Sequence, residues 1–212
     1  MEQKELTDIV MKVIKKISGQ DTSFPVEMSV RHVHLTREAV EILFGNNTHL
    51  QIKRELSLPG FLAEQRVSLI TNKGVFHNVA VLGPVRDQIQ VELAASDAYA
   101  LGLKPPVNIS GNLNGAADVY IAGPHGMLPA NSSAIIAQAH VHMNAAEARA
   151  MGVENQEIVA VDILSKRPIT IKNVMIRVEN GMHATMHIDM DEANACGYGG
   201  EMRGVISKIA KE

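Results

Sequence analysis

Between residues 5 and 17 the apolar side chains Leu6, Ile9, Val10, Val13, Ile14 and Ile17 recur at helical spacing, with Lys12, Lys15 and Lys16 off the stripe. This pattern predicts an amphipathic helix. The polar run Ser18–Ser23, closed by Pro25, reads as a linker. Beyond it the period drops from 3.6 to 2. Strand-like runs cover Val26–His34, Arg66–Thr71, Val75–Leu82, Ile89–Leu93, Val107–Ser110 and Val119–Ala122. Others follow at Ala137–Met143, Ile158–Leu164, Ile169–Ile171, Val174–Val178 and Thr185–Ile188. Asn72-Lys73-Gly74 has the chemistry of a hairpin turn. Many short strands with brief helices favour compact β-barrels over a parallel α/β sheet.

A repeat runs through this pattern. His32-Val33-His34 recurs as His140-Val141-His142, each followed by an apolar residue and a helix-capping residue. An acidic-Ala-x-x-apolar unit occurs four times: Glu38 to Ile42, Asp97 to Leu101, Glu147 to Met151 and Glu192 to Cys196. The last three end at Gly102, Gly152 and Gly197, which suit helix C-termini. Thr36, Ser96, Asn144 and Asp189 are candidate N-caps, and Asn144/Glu147 and Asp189/Glu192 have capping-box spacing. The repeating unit is a strand running into a short capped helix.

Duplication alone would explain the repeat, but not the metal-capable residue near the end of every strand: His34, Glu92, His142 and His187. Side chains at i and i+2 of a strand share a face, about 7 Å apart at Cα, so His-x-His can close two imidazoles on one ion. A single such pair is commonly incidental. Two inside a repeat, joined by His187 and Glu92, supply six ligands, or two three-ligand centres with an open position each. Structural zinc normally fills all four positions, so three-ligand centres read as catalytic.

Composition narrows the class. The 212 residues are 46% hydrophobic and 20% charged with net charge -3, a profile of globular proteins. With no basic excess and no tryptophan, nucleic acid is not an expected partner. One cysteine precludes an internal disulfide and fits a cytoplasmic setting, and no apolar run is long enough to span a membrane. Cys196 takes an apolar slot of the repeat and reads as a buried structural thiol rather than a nucleophile. His49, His77, His125 and His183 lack the partners that the six candidates share. Arg86 follows the turn Leu82-Gly83-Pro84-Val85, six residues before Glu92. A continuous strand would put the two on one face, where a guanidinium suits phosphate; a solvated arginine beside Asp87 is the alternative.

The segments Ser29–Thr36, Leu82–Arg86, Ser110–Leu113, Ala137–Met143 and His187–Ala195 together resemble the PduL-type phosphate propanoyltransferases, in order and across nearly the whole chain. The resemblance implies a mainly β fold of two small β-barrels with short capping helices. One barrel would comprise residues 21–30 with 138–212 and the other residues 31–137, with residues 1–20 as an N-terminal helix and linker. It implies two zinc ions per chain, one on His32, His34 and Glu92 and one on His140, His142 and His187. It assigns phosphate to Arg86, and coenzyme A to Met28, Ser29, Val30, Lys73 and Asn194. Where some relatives carry a basic residue this chain has Ala80, so one nucleotide contact is expected to be missing. The implied reaction exchanges a propanoyl or acetyl group between coenzyme A and phosphate, with an acyl phosphate on the other side. The family also implies a homodimer and, for residues 1–20, docking onto bacterial microcompartment proteins; the alternative is that the helix folds back onto the barrels as part of their core. Two other readings fit the metal ligands: a cupin-like or hydrolytic metalloenzyme, and a non-catalytic β-module stabilised by metal.

Overall fold

The computed structural model describes residues 22–199 and 201–207; the helix expected over residues 5–17 lies outside them. The chain adopts the mainly β, two-barrel architecture expected from its sequence. Its strands are β1 (Phe24–Met28), β2 (His32–His34), β3 (Ile52–Glu55), β4 (Phe61–Ile70), β5 (Val75–Gly83), β6 (Gln90–Leu93) and β7 (Val107–Asn108). They continue with β8 (Ala117–Ala122), β9 (Met127–Ala137), β10 (His140–Met143), β11 (Ile158–Leu164), β12 (Ile169–Val178), β13 (Thr185–Ile188) and β14 (Arg203–Ser207). Four short helices interrupt them: α1 (Arg37–Phe44), α2 (Ala95–Ala100), α3 (Ala145–Met151) and α4 (Met190–Ala195).

One barrel closes in the order β1-β13-β10-β12-β11-β14. The other closes as β2-β5-β4-β8-β9-β6, with β3 added beside β4 and β7 beside β9. The two rings share one sequence of pairings. From β10, the neighbours are parallel β12, then antiparallel β11, β14 and β1, then β13 parallel to β1 and antiparallel to β10. From β2 the same order runs through β5, β4, β8, β9 and β6. The barrels are therefore copies of one topology, except that one takes its last strand, β1, from the beginning of the chain.

The run Val26–His34 reads as one strand but is two, in different barrels. The Ser29 amide still donates to the Ile188 carbonyl, at 2.8 Å, and the chain then crosses to start β2. Alternation fills each interior: Val33, Leu69, Val81, Val91 and Ile121 in one barrel, and Phe24, Val141, Val161, Ile176 and Met186 in the other. Every helix follows the same rule. Ala39 and Ala98 enter the first core, Ala148 and Ala193 the second.

The helix caps explain the repeat's spacing. Thr36, Asn144 and Asp189 cap with their side chains as expected, and the last two form capping boxes with Glu147 and Glu192. Ser96 does not cap. Ala94 holds that position, and Asp97 reaches back to its amide at 3.2 Å. In all four units the metal-capable residue stands two places before the cap: His34 before Thr36, Glu92 before Ala94, His142 before Asn144 and His187 before Asp189. Glu38 falls one residue earlier in its helix than its counterparts, which is why its offset from His34 is four rather than five.

Candidate metal centres

Strand alternation sends Val33 into one barrel and Val141 into the other, fully buried, so the flanking histidines lie on the opposite face. The antiparallel neighbour supplies a third side chain at the same level. Glu92 stands directly opposite His32, and His187 directly opposite His140. Two groups result, His32/His34/Glu92 and His140/His142/His187, and within each the possible ligand atoms lie within 4.8 Å of one another. Although on outward faces, His32, His34, His140 and His142 are buried. The second group lies beside a contact between the barrels: Glu27, 3.6 Å from His187, accepts a 2.6 Å hydrogen bond from Ser57 of the other barrel. Nearby, Asp191 of α4 accepts bonds from the amide and hydroxyl of Ser96 in α2.

The nitrogen chemistry fits a metal. His32 donates Nδ1–H to the Val30 carbonyl at 2.9 Å, and His140 donates to Gln138 at 2.8 Å, so in the neutral ring Nε2 is the nitrogen free to ligate. His142 Nδ1 is 3.1 Å from Glu179 Oε2, and the other oxygen of Glu179 pairs with Arg177 at 2.7 Å. Such carboxylate–histidine pairs orient metal-binding imidazoles. His187 Nε2 is buried without a hydrogen-bond partner, with Glu27 Oε2 at 3.6 Å. The rings of His140, His142 and His187 are 4.8 to 5.4 Å apart at 65° to 81°, so they meet edge-on rather than stacked.

Electrostatics favour the ligating forms of His34, His140, His142 and Glu92, but not of His32. Burial pushes His34 and His140 down to about 3 and His142 to about 4, keeping those imidazoles neutral. Burial would raise Glu92, but His32 and His34 beside it pull its carboxyl below the usual range, so it stays ionised. Burial likewise opposes charge on His32, and Glu92 overcomes it, so His32 is raised.

Arg86 reaches this region differently from the sequence expectation. Strand β5 ends at Gly83, and a loop, not a strand, connects it to Glu92. The Arg86 amide is anchored on the Leu35 carbonyl at 2.9 Å, and its Nη1 donates to Ser110 Oγ at 3.3 Å. Burial of the guanidinium lowers its pKa, with Glu92 opposing and Arg177 of the other barrel adding to the effect. Arg86 therefore stands near the first group and within electrostatic reach of Arg177 in the other barrel. A polar trough of about 750 Å³ borders its loop at Asp87–Ile89 and continues past Gly111–Asn114; none of the six metal-capable residues lines it.

The remaining sequence candidates are more dispersed. Met28, Ser29 and Val30 form the crossing between the barrels, where the Ser29 amide is already committed to Ile188. Lys73 lies in the β4–β5 turn with its stem against Gly102, and Asn194 is exposed on α4. Among the described residues no hydrogen bond or ion pair joins Lys73 or Asn194 to either group. Cys196 is fully buried and its thiol donates to the Ala193 carbonyl at 3.3 Å. His49, His77, His125 and His183 join neither group. Sequence reasoning missed Gln90, Glu27, Arg177 and Glu179. Gln90 was within reach, two residues before Glu92 and hence on its face. Glu179 was not, because it meets His142 only through the β10–β12 pairing.

A double barrel that presents two groups of three metal-capable side chains, with a guanidinium near the first, defines a candidate metal site with a candidate anion partner. Comparison with known sequences is specific. The family model described as phosphate propanoyltransferase matches residues 25–199. A phosphate propanoyltransferase of Alkaliphilus metalliredigens is 43% identical over 92% of both chains. That of Leptotrichia buccalis is 41% identical over 98% of this chain and all of its own, and that of Thermotoga maritima 40% over 90% and 93%. The chain belongs to the phosphate propanoyltransferase family.

Proposed function

We propose that this protein exchanges a short acyl group, propanoyl or acetyl, between coenzyme A and inorganic phosphate at a site with two zinc ions. The observation that carries the reading is the pair of ligand groups, His32/His34/Glu92 and His140/His142/His187, with Arg86 beside them. Bound there, zinc would supply Lewis acidity for a thioester carbonyl and favour the thiolate form of coenzyme A. Arg86 grips phosphate with its planar fork, and Ser110 holds that fork in place. In one direction a phosphate oxygen attacks the thioester carbonyl and the coenzyme A thiolate leaves. In the other, the thiolate attacks the acyl phosphate and phosphate leaves. No side chain needs to carry the acyl group, which suits a buried Cys196 whose thiol burial pushes up.

We further assign coenzyme A to the Met28–Val30 crossing with Lys73 and Asn194. A homodimer working in the cytoplasm or within a bacterial microcompartment, addressed by residues 1–20, completes the proposal. The test is phosphate- and arsenate-dependent cleavage of propanoyl- and acetyl-coenzyme A, with metal content read on the same preparation. Turnover with about two equivalents of zinc supports it. Metal-dependent hydrolysis indifferent to phosphate would move the reading to a hydrolytic metalloenzyme, and coenzyme A binding without turnover to a binding module.

A further inference from the structure

Gln90 is a buried amide, 2% exposed, with every polar atom committed. Its Oε1 accepts the Gly111 amide at 2.8 Å, and an N–H can donate only to an oxygen, so the orientation of the side chain is fixed. Its Nε2 is therefore aimed at Glu92 Oε1, 2.6 Å away, and at Ser110 Oγ, 2.8 Å away. Ser110 Oγ also accepts from Arg86 Nη1. A hydroxyl has two lone pairs and one hydrogen. With Gln90 and Arg86 occupying both lone pairs, Ser110 ties the amide that holds Glu92 to the guanidinium. Gln90 thus holds Oε1, which lies 3.9 Å from His34 Nε2, while Oε2 stands 3.6 Å from His32 Nε2. The other barrel has no such device: Thr185, opposite His142, fills the place that Gln90 holds opposite His34.

We propose that Gln90 and Ser110 are positioning residues that join Glu92 to Arg86, so that metal binding at the first group and phosphate binding at Arg86 are coupled. The inference rests on the assignment of phosphate to Arg86 made above. Gln90 fixes the plane of the Glu92 carboxylate, so that Oε1 faces His34 and Oε2 faces His32. Ser110 transmits the position of that carboxylate to the guanidinium three bonds of the network away. Because such coupling is reciprocal, phosphate tightens the metal at this group, and the metal tightens phosphate.

The experiment uses the full chain, zinc in competition with a chelating indicator, and phosphate kinetics. In Gln90→Leu one of two zinc equivalents should weaken about 10- to 100-fold, the range for lost second-layer contacts, while the other is unchanged. Gln90→Met, of similar length but without the donor, should do the same and serves if the leucine variant misfolds. Ser110→Ala should raise the phosphate KM several-fold with little change in kcat, and Ser110→Thr, which keeps the hydroxyl, should recover most of it. In the wild type, added phosphate should tighten the affected equivalent. Two unchanged zinc affinities in both Gln90 variants would overturn the inference. So would an unaltered phosphate KM in Ser110→Ala when Arg86→Ala raises it. If Arg86→Ala itself leaves phosphate kinetics unchanged, the assignment of phosphate to Arg86 is what fails, and the zinc titration alone decides the role of Gln90.

Discussion

Glu192 offers a measurement that separates the fold from the chemistry. Its Oε2 closes the α4 capping box on the Asp189 amide at 3.0 Å, beside Asp189 and Asp191. Burial, with both neighbouring carboxylates adding, raises it from 4.5 to about 7. A carboxyl raised in the folded state disfavours folding once the unfolded chain can ionise. Below pH 4.5 both states are protonated and there is no penalty. Between pH 4.5 and 7 the unfolded state loses its proton first, so stability falls as pH rises, and above 7 the loss is complete. A shift of this size corresponds to at most about 3 kcal/mol, and less in practice because the carboxylate is partly exposed to water. Glu192→Gln keeps an oxygen for the Asp189 amide and removes the titration. Urea midpoints of both proteins, taken from pH 4.5 to 8 with chelator present, isolate the group. The variant should match the wild type at the acid end and exceed it by about 1–3 kcal/mol at pH 8. Stability curves that stay parallel across this range would refute the reasoning.

Four further outcomes are expected. Glu92→Gln should weaken one zinc equivalent and depress turnover at least 100-fold while melting stays near the wild type, because the ligand's charge is lost and its shape kept; elemental analysis and calorimetry check this. Arg86→Ala should raise the phosphate KM, and Arg86→Lys should restore only part, since an ammonium lacks the planar fork. Gly204→Ala should cost about 1–3 kcal/mol in urea unfolding, because its methyl would come within 2.9 Å of Phe24 and Val161 in the closing strand of a barrel. Deleting residues 1–20 should leave zinc content and specific activity intact, and the same residues fused to a fluorescent protein should carry it to compartments in cells that make them.

How far the site was legible depended on how local its signals are. The six metal-capable residues could be found because alternation on a strand and spacing from a helix cap are short-range rules, and the duplication displays them more than once. The partners that hold those residues are another matter. Glu179 meets His142, and Ser110 meets Arg86, through pairings between distant strands and loops that leave no trace in spacing. Strand β9 escaped for a different reason. Pro129 and the run Asn131-Ser132-Ser133 look like a loop, yet the chain stays in the sheet by a left-handed kink at Ser132, whose amide is taken by Asp118. Strand β3 is exposed at every residue and so never alternates. The break at Ser29–Arg31 was hidden because both halves of Val26–His34 are strands, and only their partners reveal that they serve different barrels.

Strand β1 sets a timetable for synthesis. Val26 pairs with Met186 and Phe24 with Gly204, so the first described strand of the chain waits for some of the last. The barrel of β2–β9 draws on one continuous stretch and can close while the ribosome is still making the other. During that interval β1 is an apolar ribbon carrying Phe24 and Val26 with no place to go, attached directly to a barrel already formed. The second barrel then closes late, across the full span of the chain, with loop closure as its entropic cost. His187 stands on β13, so the second histidine group is incomplete until that strand has been made. A nascent chain is thereby barred from assembling the complete site ahead of its own fold.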